Sequence, residues 1–137
     1  LRGCIGRLEA GEHPLEEDVR RNAYGAAFED PRFPPLAAHE WQDLVVEVSL
    51  LGVLEPMPVS SESDAWRMLR PHRDGVLLEW RGRRSTFLPQ VWEELPEVRE
   101  FLAALRRKAG LPGDFWHAEM RLSRYSVHEF SEDEVAA

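Results

Sequence analysis

The chain has 137 residues, 43% of them hydrophobic, which is enough for one domain with a buried core. Its 25 acidic against 17 basic side chains give a formal charge of −8, which argues against capture of a nucleic-acid backbone. No apolar run approaches the roughly 20 residues that span a bilayer, and a single cysteine excludes an internal disulfide, in keeping with a reducing, cytoplasmic setting.

In chain order, Leu15, Val19, Ala23 and Ala26 recur at helical spacing, and Glu16, Glu17 and Asp18 suit the positive end of a helix dipole, so a helix is predicted from about Leu15 to Glu29. Asp30-Pro31 stops it, because proline disfavours the helical conformation in the residue before it; Pro34-Pro35 extends the break, and a short helical turn is predicted over Ala37 to Asp43. The β-branched run Leu44 to Leu51 predicts a strongly buried strand, with Glu47 and Ser49 on one face and that face turned to water. Ser61 and Asp64 resemble a capping pattern for a helix that carries Ala65, Met68 and Leu69 and ends before Pro71, with Asp74-Gly75 as the following turn. Val76 to Trp80 and Ser85 to Leu88 then read as a β-hairpin around Arg81-Gly82-Arg83. The clearest helix opens after Pro96, presents Val98, Phe101, Leu102, Leu105 and Ala109 as an apolar stripe, and stops at Gly110. Met120 to Phe130 reads as a last strand whose apolar phase changes midway, as a bulge requires. These elements predict one mixed α+β arrangement with a mainly antiparallel sheet, followed by an acidic, mobile tail over residues 131–137.

Chemical potential concentrates in Leu1-Arg2-Gly3-Cys4-Ile5-Gly6. Gly3 and Gly6 permit backbone geometry and close approach that a Cβ forbids, and Arg2 is placed to favour a thiolate at Cys4. Two readings stand side by side: a small structural thiol in a tight loop, or a functional thiol acting as nucleophile or metal contact. His13, His39, His72, His117 and His128 show no metal-ligand spacing, and His39-Glu40 fails as a metalloprotease signature because Asp43 stands where the second histidine belongs. No phosphate-binding or dinucleotide glycine pattern occurs, so no metal and no cofactor is assigned. The Arg81, Arg83 and Arg84 cluster reads as a solvated hairpin end, and Arg106, Arg107 and Lys108 as complements to a helix C-terminus.

The opening hexapeptide is similar to the signature of the AMMECR domain family, known in bacteria as protein A of the AmmeMemoRadiSam system. Asp30-Pro31-Arg32-Phe33-Pro34-Pro35-Leu36, Glu47 to Leu51, Phe87-Leu88-Pro89-Gln90-Val91-Trp92-Glu93 and Lys108 to Pro112, with Trp116 and Tyr125 behind them, resemble the family in order and spacing. The resemblance covers Leu1 to about Glu132 and implies an AMMECR-like domain over residues 1–130, either as one body or as two subdomains around a cleft, without the N-terminal helix and strand that family members carry ahead of the cysteine motif. It also places Glu47 and Gln90 in family-like blocks, where an acceptor and an amide can orient a ligand beside Arg2, Gly3, Cys4 and Gly6. What it implies about function is an accessory or binding component acting with a Memo-like protein and a radical SAM enzyme. The alternative is an enzyme in which Cys4 serves as a nucleophilic or redox thiol.

Overall fold

The computed structural model describes residues 1–8 and 13–132. Its contacts divide the chain into two compact units, Leu1–Ser49 with the segment from Glu129 onward, and Leu50–His128. Among the described residues, no helix is long and apolar enough to cross a membrane.

The first unit is built on helix α1, Leu15–Phe28. Glu16 and Glu17 each reach one turn forward to an arginine, Arg20 at 2.8 Å and Arg21 at 2.9 Å, the orientation that best supports a helix surface. The helix ends where the sequence predicts. The Glu29 amide closes on the Gly25 carbonyl, and Asp30-Pro31 turns the chain away into a 3-10 helix over Ala38–Asp43. Strand β1, Glu47–Leu51, follows and pairs with the last strand, β6, Val127–Ser131, as a two-stranded sheet.

β1 is shorter and wetter than its sequence suggests. Residues 44–46 lie outside it, Val45 and Val46 are about half exposed, and no residue of the strand is fully buried. A two-stranded sheet has no neighbour to cover it, so β-branched composition sets the backbone here without setting burial. Glu47 and Ser49 do face water. Beyond β6, the Glu132 amide donates to the Val46 carbonyl while its carboxylate accepts the Val46 amide, so Ser131 and Glu132 belong to the strand pair; the rest of the acidic tail lies outside the described residues.

The second unit holds a four-stranded antiparallel sheet in the order β2 (Glu55–Pro56), β5 (Arg121–Tyr125), β3 (Gly75–Trp80), β4 (Arg83–Phe87). The β3–β4 turn is two residues, Arg81 and Gly82, both at positive φ (44° and 77°), the type I′ geometry whose twist matches the flanking strands. Arg83 is therefore the first residue of a strand, not part of the turn. Helix α2, Glu62–Met68, starts on the predicted cap, with the Ser61 hydroxyl accepting the Asp64 amide. Helix α3, Val98–Lys108, stops in a Schellman motif: Leu111 donates to the Arg106 carbonyl, Gly110 to that of Arg107, and Gly110 supplies the required φ of 81°.

Val76 and Leu78 of β3 and Leu122 of β5 face Phe101, Leu102 and Leu105 of α3, and all six are essentially inaccessible to solvent. Ser85 on β4 ties the layers by donating its hydroxyl to the Leu105 carbonyl at 2.7 Å. The predicted final strand is in fact two. Ser126 separates β5 from β6, and the strands join different sheets, so the change of apolar phase marks a transfer between sheets and not a bulge.

Candidate functional site

Residues 1–8 have no regular secondary structure; three carboxylates of the following segments hold them, Asp18 pairing with Arg7 at 2.9 Å, Glu40 with Arg2, and Asp30 with the Cys4 amide. Arg2 grips Glu40 with two parallel bonds, Nε to Oε1 at 2.9 Å and Nη2 to Oε2 at 3.1 Å, and Nη2 also donates to the Pro34 carbonyl at 2.6 Å. Glu40 accepts the Ala37 amide at 2.9 Å as well, so one carboxylate caps the 3-10 helix and anchors the loop. Its hydrogen bond to Arg2, with the Ala37 amide second, lowers the Glu40 pKa to about 2, while Glu40 raises that of Arg2.

The second clamp is Asp30, which is buried. Its Oδ2 accepts the Cys4 amide at 2.9 Å and Arg32 Nη2 at 2.7 Å, and its Oδ1 accepts the amide and Nε of Arg32, each at 3.0 Å. The Arg32 side chain, followed by the Cys4 amide, holds the Asp30 carboxyl well below the usual carboxylate range. Arg32 rises in turn through its hydrogen bond to Asp30. Gly3 lies so close to the Ala26 carbonyl that a Cβ would overlap it. Gly6 has open space around it and no positive φ, so nothing steric demands glycine there.

The thiol of Cys4 is free and exposed, which sets aside the reading of a buried structural cysteine. Arg2, expected to act on the thiol, is instead engaged by Glu40 and Pro34, and Arg32 shares Asp30 Oδ2 with the Cys4 amide. Glu47 is an exposed residue of β1 in the same unit, whereas Gln90 is exposed on a 3-10 turn, Pro89–Glu93, in the second unit. His13 pairs with Glu17 along the chain at 3.5 Å, and His117 accepts the Glu119 amide in a turn of the second unit, stacked near Phe115. Among the described residues, no three His, Cys, Asp or Glu side chains are grouped to hold a metal ion.

Sequence reasoning missed Asp30, Arg32 and Glu40. The signal for the first two is Asp30-Pro31-Arg32 itself, since an aspartate that accepts the amide two residues on forms a local turn, and the proline leaves that turn with no competing helix. Phe87 to Glu93 tells a different story. Trp92 is fully buried, stacks on Phe101 at 3.7 Å with the rings 5° apart, and donates its indole N–H to the Asp74 carbonyl at 2.8 Å. Asp74 is itself inaccessible, its carboxylate closing on the amide and guanidinium of Arg70. This block joins β4 to α3 and supports the core.

Comparison with known proteins agrees with the resemblance carried by these blocks. The family model described as AMMECR1 matches residues 1–130. Protein MJ0810 of Methanocaldococcus jannaschii is 41% identical over 136 residues, covering 98% of this chain and 67% of its own length. A protein of Methanothermobacter thermautotrophicus is 42% identical over 135 residues (97% and 70%), and one of Thermotoga maritima is 36% identical over 130 residues (95% and 70%). The crystal structure of protein PH0010 from Pyrococcus horikoshii superposes with a TM-score of 0.81 at 35% identity, covering 90% of this chain and 62% of that one. The chain thus spans about two thirds of the length of these relatives, has their α+β fold, and belongs to the AMMECR1 family.

Proposed function

We propose that this chain is an accessory or binding component that acts with a Memo-like protein and a radical SAM enzyme, and that the Cys4 loop is the surface it presents to them. The observation that carries this reading is the way the loop's charges are used. Arg2, through Nε and Nη2, and Asp30 are engaged by Glu40, Pro34, Arg32 and the Cys4 amide, so that both groups fix the backbone, and only Nη1 of Arg2 is left buried without a hydrogen-bond partner. A loop braced in this way loses little conformational freedom when a partner binds it, which favours recognition. Its exposed Cys4 and Ile5 supply a small apolar contact.

The reading is tested by sedimentation of the chain with the Memo-like and radical SAM proteins of its own organism. A complex that survives Cys4→Ser and weakens in Asp30→Asn supports it, because the first variant removes only the thiol and the second releases the loop. Absence of any complex, together with turnover that iodoacetamide abolishes, would refute it. The alternative, Cys4 as a nucleophilic or redox thiol, draws on the exposed thiol and on an Arg32 guanidinium that shares Asp30 Oδ2 with the Cys4 amide. It requires alkylation of native Cys4 at neutral pH to outpace that of the peptide LRGCIG by tenfold or more, whereas the binding role expects a ratio near one.

A further inference from the structure

At the end of the β3–β4 hairpin, Arg81, Arg83, Arg84 and Arg121 line a shallow cavity of about 550 Å³ with Glu79, Trp80, Glu119 and Met120. Four arginines and two glutamates stand in this lining, in a chain whose overall charge is −8. The fold also restrains several of them. Arg81 sits in the tight I′ turn with its guanidinium 5.0 Å from the centre of the Trp80 ring, and Arg83 Nη1 donates to the Ala109 carbonyl at the end of α3 at 3.3 Å. Across the strands Glu79 stands in register with Arg84 on one side and Arg121 on the other, so this glutamate separates the two cations on that face, while Arg83, in register with Trp80, turns to the face that meets the end of α3. Arg81 pairs with Glu119 only at 3.6 Å, with both side chains well over half exposed, and Arg121 forms no ion pair among the described residues. Exposed pairs of this kind exchange readily for an incoming carboxylate.

We propose that this arginine-lined hairpin end is a docking surface for an acidic peptide segment of a partner protein. Planar guanidinium forks match carboxylates in two-point contacts, and the shallow, open form of the cavity admits side chains from an extended strand. Glu79 and Glu119 within the lining disfavour a compact polyanion such as a phosphate cluster, which would bring its charge against both, while separated carboxylates can bypass them. The proposal concerns the second unit and is independent of the reading given to the Cys4 loop, which lies in the first.

The test uses the whole chain, labelled with ¹⁵N, titrated with a hexaglutamate peptide and, separately, with pyrophosphate at matched ionic strength. Hexaglutamate is expected to shift the amides of residues 79–84 and 119–121 selectively. Its affinity is expected to fall about fivefold in the double variant Arg81→Asn, Arg121→Gln, the loss of two exposed ion pairs. Asparagine tolerates the positive φ of Arg81, and both side chains are exposed, so an unchanged melting temperature shows that the variant is folded. Arg83 is left intact because it caps α3. Shifts scattered over the whole surface, an unchanged affinity in the double variant, or tighter binding of pyrophosphate at the same amides would each overturn the proposal.

Discussion

Replacing Trp92 should separate the structural role of its block from a ligand-binding one. Trp92 is fully buried, so its side chain removes on the order of 200 Å² from water, worth about 5 kcal/mol at 25 cal/mol per Å² and somewhat less because the unfolded chain already hides part of that area. Trp92→Ala also loses the stack on Phe101 and leaves the Asp74 carbonyl without its indole donor. The expected cost is about 4 kcal/mol, within the range for large aromatic truncations. Trp92→Phe keeps a ring against Phe101 and loses the hydrogen bond and the second ring, for an expected cost of about 2 kcal/mol. With a urea slope of about 1.5 kcal/mol per molar for a domain of this size, the midpoints should fall by about 2.7 M and about 1.3 M. Urea unfolding followed by far-UV circular dichroism reads both, and the phenylalanine variant preserves the measurement should the alanine variant fail to fold. If the phenylalanine variant matches the parent and the alanine variant loses less than about 1 kcal/mol, the core role is wrong and Trp92 belongs with a binding surface.

Three further outcomes follow from the same geometry. Amide hydrogen exchange should be slowest in β3, β5 and α3 and clearly faster along α1, because the buried apolar cluster consists of residues from the second unit; uniform protection along the chain would contradict this. The pKa of Glu40 is lowered from 4.5 to about 2, so its pairing with Arg2 stabilises the fold fully above about pH 4.5 and is lost as the pH falls towards 2. Urea midpoints measured between pH 6 and 2 should therefore decline less steeply in Glu40→Gln than in the parent, and parallel declines would remove the clamp from the account. Gly3→Ala should cost about 1 to 3 kcal/mol by driving a methyl group into the Ala26 carbonyl, whereas Gly6→Ala should stay within about 0.5 kcal/mol, as thermal melts of the two variants will show.

The local physics of the chain was readable wherever a short-range rule decides the outcome. Pro31 ends α1, Ser61 caps α2, Gly110 closes α3, and Arg81-Gly82 makes the hairpin, because each depends on a few neighbouring residues. What escaped depends on partners distant in sequence. Val45 and Val46 look like core residues until the strand is seen to have a single neighbour. The change of phase between Tyr125 and Val127 suggests a bulge until each half is assigned to its own sheet. Arg2 followed the same rule. Its partner, Glu40, is 38 residues away, and nothing near Arg2 in the sequence announces that the guanidinium is already taken.

The order of the Cys4 loop then has an unusual source. In the first unit only Gly25 and Asp30 are buried among the described residues, so the loop is not pinned by an apolar core. It rests on Asp30 and Glu40, which each hold an arginine and a backbone amide at once, and on Asp18, which pairs with Arg7. Ion pairs with partly exposed arginines weaken with added salt and with acid, while the apolar core of the second unit is insensitive to both. The loop that carries Cys4 should therefore loosen under conditions that leave the second unit folded, because its order is set by charge pairing at Asp30 and Glu40 more than by the apolar core.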